Sequence, residues 1–594
     1  MNDKLSRQNC VLYVCGIVPV VWLALLAAPL LEGGLGTLLK GFGTALENPF
    51  HIIWCDKSLK TLLIFLMLYG LGIGIYVSNE RVYRRREEQG SARWGNPLSI
   101  AKRYQQNGNA NKLLTQQVAL GLDGRKHRRN LNVLICGGSG AGKTRFYAKP
   151  NIMQANTSFV ILDPKGELLR DTGHLLEKKG YVIKVLDLIN PERSHCYNPF
   201  VYLRDDDDIQ RLATNIMKNT TPKGSKSSDH FWEDMAAMLL KALISYLHYE
   251  APPEEQNFPM VMDMIRAGDV KEDNEEYAST LDELFERLER KNPEHIAVRY
   301  YKGYHSGSGK TLKSIQITLA ARLEKFNLES LAALTCTDEL DLASMGEKKV
   351  ALFAIIPDND SSFNFLVSIL YTQLFQQLFF SADHIHGGAL PIPVHFLMDE
   401  FSNVSLPEDF SKILAVMRSR NVYVSIILQN VAALKALFEK EWESILGNCD
   451  EFLYLGGNET STHKLMSESY LGKSTIDTNT YGKSSGRNGN YSTNYQISGR
   501  ELLTPDEVRM LDNRYALLFI RGERPVMDEK YDILKHPNIA LTEDGGAAPY
   551  EHGGTENAIA TLSFAGAAAE TVPAPNEPIP DYELLSDEDI EALF

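Results

Sequence analysis

At 594 residues with 44% apolar side chains, the chain is long enough for two or three domains and too apolar to be intrinsically disordered throughout. Its seven cysteines, Cys10, Cys15, Cys55, Cys136, Cys196, Cys336 and Cys449, lie far apart with no C-x-x-C pair and no histidines at zinc-ligand spacing, which excludes a disulfide scaffold or zinc finger and reads as reduced thiols. The net charge of −15 is uneven: Leu541–Phe594 carries twelve acidic residues and no Lys or Arg, so the rest of the chain is close to neutral and a nucleic-acid substrate is not excluded.

The chain opens on "VLYVCGIVPVVWLALLAAPLL" (11–31), uncharged and long enough to cross a hydrocarbon core of about 30 Å as a helix. It exceeds a usual signal-peptide core, and no small-x-small cleavage site clearly follows. A second run, "LKTLLIFLMLYGLGIGIYV" (59–77), carries only Lys60. Residues 1–90 therefore read as a membrane anchor with two transmembrane helices. Lys4 and Arg7 precede the first span, and Arg81, Arg84, Arg85 and Arg86 follow the second. By the positive-inside rule both termini and the body are cytoplasmic, a multi-pass placement in the cell membrane with residues 32–58 as a short outside loop.

The body alternates apolar runs with helical periods: 131–136, 158–163, 181–187, 350–356, 394–398, 422–428 and 515–520. Continuous Val/Ile/Leu runs suit strands buried on both faces of a largely parallel sheet, and so an α/β domain. Residues 202–344 have a different texture. "HFWEDMAAMLLKALISYLHYE" (230–250) and "GKTLKSIQITLAARLEKF" (309–326) place apolar residues at helical spacing, which predicts an all-α insertion into a domain made of 91–201 and 345–540. Residues 474–497 are polar and rich in Gly, Ser and Asn, and read as a mobile loop. The acidic segment 541–594 reads as a disordered tail ending in a possible short helix at 581–594, where Ser586 and Asp589 form a capping pattern.

The most informative stretch is "LICGGSGAGKTRFYAKPN" (134–151). An apolar strand breaks into Gly137, Gly138, Ser139, Gly140, Ala141 and Gly142 and ends on Lys143 and Thr144, the spacing G-x-x-x-x-G-K-T of a loop that cradles a nucleotide triphosphate. Glycine lets the backbone approach the phosphates, Lys143 reaches the β and γ phosphates, and the Thr144 hydroxyl ligates Mg2+, so ATP and Mg2+ are the expected cofactors. A second Gly-Lys-Thr, in "HSGSGKTLKS" (305–314), has Tyr304 where the first glycine belongs and no buried strand before it. It reads as a loop and the start of a helix.

Such a site also needs a carboxylate at a strand end. "VHFLMDEF" (394–401) supplies Asp399 for the Mg2+ shell and Glu400 to orient or deprotonate the attacking water. The 256 residues between Lys143 and Asp399 are too many for a small GTPase or nucleotide kinase and suit a RecA-like P-loop motor domain with an insertion. After the next strand comes Gln429, placed like the polar side chain with which ring ATPases sense the γ phosphate. Before that strand, Arg418 and Arg420 are candidates for a finger that crosses to a neighbouring subunit.

With these motifs in place, the chain resembles the TraG/TraD conjugative coupling ATPases of type IV secretion systems over about residues 90–540. "GSARWG" (90–95), "ILDPKGEL" (161–168), "YNPF" (197–200), "DHFWEDMA" (229–236), "FLMDEFSNV" (396–404) and "GRELLTPDEVRML" (499–511) carry the resemblance. It implies a homo-hexameric, membrane-anchored ATP hydrolase. Such a motor receives a single DNA strand with its covalently attached relaxase and hands it to a secretion channel, with little preference for DNA sequence. Relaxase or accessory protein and channel components are the implied partners, and Asp163 and Lys165 would lie beside the phosphate loop. His395 departs from the family's apolar run before Asp399. Two other readings stand beside this one, a chromosome-segregation-type DNA translocase and a nucleotide-dependent docking receptor for secreted proteins. The basic cluster "GRKHRRN" (124–130) and the group Tyr481, Lys483, Arg487, Tyr491 and Tyr495 fit solvated surface better than dedicated DNA contacts.

Overall fold

Every apolar run expected to form a strand does so in the computed structural model, which describes residues 2–78, 87–221, 231–270, 277–358, 360, 362–403, 406–407, 409–483 and 491–553. The strands are β1 (Val133–Cys136), β2 (Ser158–Pro164), β3 (Val182–Asp187), β4 (Val350–Ile356), β5 (Val394–Met398), β6 (Val422–Leu428), β7 (Glu451–Tyr454), β8 (Tyr515–Ile520) and β9 (Val526–Glu529). They form one nine-stranded sheet in the order β9-β8-β7-β1-β6-β5-β2-β4-β3. From β7 to β3 all neighbours are parallel, while β8 runs antiparallel to both β7 and β9. Two of these strands, β7 and β9, have no counterpart among the predicted runs.

Successive residues of each strand feed opposite faces of the sheet. Leu134 and Cys136 of β1 enter one apolar core, and Val133 and Ile135 enter the other. The first core is continuous with the helices Asp206–Asn219, Phe231–Glu250, Phe258–Ala267, Thr280–Lys291, Ile296–His305, Gly309–Arg322 and Glu329–Cys336, so the helical segment shares its interior with one face of the sheet. Among the described residues no strand interrupts it. The Gly309-Lys310-Thr311 tripeptide opens one of these helices, as its context indicates. Helix Asn364–Phe380 carries apolar residues on all sides because it is largely enclosed, with Phe375 stacked on Phe396 at 4.5 Å and Gln373 donating to the Pro199 carbonyl at 2.8 Å. His395, the polar interruption of β5, is a buried core residue whose Nε2 lies 2.7 Å from Ser425 Oγ, which in turn lies 2.7 Å from the Tyr147 hydroxyl. Burial drives its pKa well below the ordinary value, so the ring is neutral.

Among the described residues, those of 92–474 with those of 499–553 form one unit, and those up to 91 with those of 475–498 form another. In the latter, helices Asn2–Ala27 and Ser58–Ser78 pack together, and the Tyr69 hydroxyl donates to the Tyr13 carbonyl at 3.0 Å. The stretch Ser58–Tyr76 is long and apolar enough to cross a membrane. The first apolar helix ends at Ala27 rather than Leu31, because Pro29 disfavours helical backbone in the residue before it. The connection between the two helices contains a further helix, Leu35–Glu47, and is therefore not a simple loop.

Two other segments differ from their sequence reading. Residues 474–497 belong to a hairpin of two long strands, Lys473–Lys483 and Tyr491–Glu501, not to an irregular loop. Thr478 Oγ1 donates to the Gln496 carbonyl at 2.8 Å. Threonine and tyrosine favour strands, but polar residues on both faces leave no alternating signal to read. The acidic segment is built into the fold as far as residue 553. Glu543 accepts from Arg170, Asp544 from Lys149 and Arg145, and Tyr550 packs against Gly173 and His174. Its first carboxylates meet cations there instead of remaining in solvent. The expected terminal helix at 581–594 lies outside the described residues.

Candidate functional site

The nucleotide motif is held between two parallel neighbours. β1 lies between β6 and β7, and the loop that leaves it is fastened to both: Gly137 N–H donates to the Leu428 carbonyl at 3.0 Å and Gly138 N–H to the Gly456 carbonyl at 2.8 Å. A Cβ at Gly138 would come within 3.3 Å of Gly457 Cα, and one at Gly142 would strike the Phe146 ring. Gly142, at φ 84°, also adopts a backbone that other residues avoid. The loop then enters a wide helical turn, Thr144–Ala148. The Lys143 ammonium lies back over the loop, 3.5 Å from the Gly138 carbonyl, and forms no ion pair among the described residues.

β6 separates the loop strand from β5, whose carboxyl end carries the acidic pair. Thr144 Oγ1 donates to Asp399 Oδ2 at 2.9 Å across 255 residues of sequence. Asp399 is buried, which raises its pKa, while the Thr144 hydroxyl opposes the shift. Glu400 follows in left-handed backbone, φ 52°, a strained placement for a residue with a Cβ. Its carboxylate receives the Gln429 amide, with Nε2 at 3.1 Å from Oε2. Gln429 thus stands at the carboxyl end of the intervening strand and touches the acid beside it.

These residues line a cleft of about 480 Å³ with Asp163, Lys165, Glu167, Asp358, Ser402 and Asn430. Asp163 is committed to the protein: its oxygens accept from Leu168 N–H at 3.1 Å and Leu169 N–H at 2.8 Å at a helix start. Burial pushes its pKa up to about 7. Lys165 pairs with Asp358 at 2.9 Å on the rim. Among the described residues no group of three or more His, Cys, Asp or Glu could hold a metal alone.

The arginines stand apart. Arg418 and Arg420 precede β6, at the amino ends of the parallel strands, whereas the cleft lies at the carboxyl ends. Arg420 is held by Asp383, with contacts of 2.6 and 3.0 Å, and lies over the Phe379 ring. Arg418 is exposed, and its guanidinium donates to the Gly124 carbonyl at 3.3 Å. Sequence reasoning missed the loop after β7, where Leu455, Gly456 and Gly457 back the nucleotide motif. The available signal was the short apolar run "EFLYL" ending on two glycines.

A family model described as type IV secretory system conjugative DNA transfer matches residues 94–542, from just before helix Pro97–Tyr104 to beyond β9. The chain belongs to this family.

As a member of the conjugative DNA-transfer family it is 22% identical over 403 residues to protein VirD4 of Rhizobium rhizogenes, covering 66% of this chain and 57% of that protein. It spans little more than half the length of the curated relatives it matches. Its fold is that of the plasmid coupling protein TrwB. The TrwB structure with the ATP analogue ADPNP matches at TM-score 0.53 and 17% identity, covering 76% of this chain and 95% of that one. The TrwB structure with ADP and Mg2+ matches at TM-score 0.53 and 16% identity, covering 74% and 92%.

Proposed function

We propose that this chain is a membrane-anchored ATP hydrolase that couples a relaxase-bound single DNA strand to a type IV secretion channel. It would act as a homo-hexamer with the motor and both termini in the cytoplasm. The observation that carries the reading is the Thr144–Asp399 contact at 2.9 Å, which joins the two halves of a nucleotide site. Family membership and the TrwB-like fold, seen in complexes with ADPNP and with ADP and Mg2+, support it. The outward-facing apolar side chains of the two N-terminal helices, among them Leu12, Val18, Leu63, Met67 and Leu71, support the anchor. We assign the motor to 91–201 and 345–540 and the helical part to 202–344.

When bound, ATP with Mg2+ supplies the transferable γ-phosphoryl group. The loop 137–144 offers backbone N–H groups and the Lys143 charge to phosphate, and Thr144 and Asp399 offer the metal two oxygens. Glu400 would take the proton of the attacking water, and Gln429 fixes the carboxylate in place. Glu400→Gln should therefore retain nucleotide binding and hydrolyse at least about tenfold more slowly. Steady-state turnover measured beside equilibrium binding checks this, and unchanged turnover moves the base elsewhere.

Arg418 lies far from its own cleft, at the opposite strand ends, so any part it plays in hydrolysis is played in a neighbour. Arg418→Ala should leave ATP affinity nearly unchanged and lower turnover. Mixing it with Lys143→Ala protomers should restore part of the rate, because some interfaces then hold both intact groups. Mixed assemblies that never recover would remove the assignment.

A further inference from the structure

Behind the nucleotide loop, on the side away from the acidic cleft, a buried lysine touches the loop backbone. Lys530 follows β9, the outermost strand, and its side chain turns inward. Its ammonium donates to the Ala141 carbonyl at 3.0 Å and to Asn513 Oδ1 at 2.6 Å, and it stands 5.3 Å from the centre of the Phe146 ring. All three partners are uncharged. Among the described residues no carboxylate lies within ion-pair distance of it, although the residue is only 6% exposed.

The neighbouring charges are engaged elsewhere. Asp512, the carboxylate that acts on Lys530 from a distance, is bound by Arg514 at 2.9 Å. Asp528 accepts from Thr115 and Gln117, Glu529 is exposed, Arg145 faces Asp544, and Lys143 lies back over Gly138. A buried cation without a counter-ion is costly even when hydrogen-bonded, which marks Lys530 as a residue with work beyond folding.

That work can be read from the peptide it holds. The Ala141 carbonyl and the Gly142 N–H belong to one planar trans unit and point in opposite directions. A cation that holds the carbonyl at the back turns the N–H to the front and polarises it as a donor. The Gly142 N–H has no acceptor among the described residues. The unit is also flanked by Gly142, at φ 84°, whose backbone is free to adopt either sign of φ.

Resting on the reading of 137–144 as a nucleotide site, we propose that Lys530 is a positioning residue of that site, which locks the Ala141–Gly142 peptide with its N–H toward phosphate and adds positive charge behind the loop. Burial lowers the Lys530 pKa to about 8. An anion in the loop favours the charged form and raises that pKa. Affinity should then be full below pH 8 and fall as pH rises above it, by about tenfold between pH 7 and pH 9 for one linked proton.

The experiment is calorimetric titration of the full chain with Mg2+ and a non-hydrolysable ATP analogue at pH 7 and pH 9. Lys530→Met should bind about tenfold more weakly at pH 7 and show no further loss at pH 9. Lys530→Arg keeps its charge and should bind within a few-fold of wild type at both values. A folded Lys530→Met with wild-type affinity and the wild-type pH slope overturns the proposal. Should the methionine variant not fold, a Lys530→Arg protein that retains the wild-type slope overturns it equally. Lys143→Ala separates this outcome from failure of the underlying reading. If that variant binds as wild type does, 137–144 is not the nucleotide site.

Discussion

Lys143→Ala should lower ATP turnover by about 10²–10³-fold, the usual cost of removing one preorganised charge-stabilising donor, and abolish DNA transfer while leaving the fold intact. The separation of effects follows from the contacts of this side chain. Among the described residues its ammonium has one hydrogen-bond partner, the Gly138 carbonyl at 3.5 Å, and no ion pair to lose. Loop position depends instead on the Gly137 and Gly138 backbone bonds to Leu428 and Gly456, which alanine at 143 does not disturb. Turnover of the purified chain, its melting transition and transfer frequency in cells are the measurements. Transfer at wild-type frequency would sink the motor reading.

The largest expected effect on stability lies at Lys112→Met. Lys112 and Glu451 form an ion pair of 2.7 Å with both side chains fully buried, and the Lys112 ammonium also donates to the Leu131 carbonyl at 2.6 Å. Removing the cation leaves an uncompensated carboxylate inside the protein, at a cost of about 3–5 kcal/mol. Burial already pushes the Glu451 pKa up to about 7 with the ammonium beside it. Without Lys112 it rises further. A carboxyl group with a raised folded pKa holds its proton more tightly in the folded state, so stability falls as pH rises from its unfolded value toward the folded one. The deficit of Lys112→Met against wild type should therefore be larger at pH 8 than at pH 5, as read from denaturant midpoints. Adding Glu451→Gln should recover most of the loss at pH 8. A deficit independent of pH would assign the effect to packing.

This pair also explains why part of the site was hidden in the sequence. β7 has four residues and begins on an acid, so "EFLY" resembles the edge of a loop. Glu451 is interior only because Lys112 comes to it from 339 residues earlier in the chain. The glycines that back the nucleotide loop, Gly456 and Gly457, follow this strand and were hidden with it. The hairpin of 473–501 was obscured differently, by polar residues on both faces. Glu543 and Asp544 open a run without cations in the sequence, and their partners Arg170, Lys149 and Arg145 come from up to 399 residues earlier in the chain.

Elements whose signal is local are legible from the residues alone. Apolar runs too continuous for a half-exposed strand specify a sheet buried on both faces, and glycine spacing followed by Lys143-Thr144 specifies a loop whose backbone can approach phosphate. The Asp399-Glu400 pair at the end of such a run was legible for the same reason. Tertiary structure decided strand order, and with it the placement of β6 between the loop strand and the acidic strand, which sets Gln429 against Glu400 at 3.1 Å. It also placed Arg418 at the opposite strand ends from the cleft and Lys530 behind the loop. Such placements depend on which distant segments bury one another, because a charge becomes interior only when its partner, anywhere in the chain, offsets the cost of removing it from water.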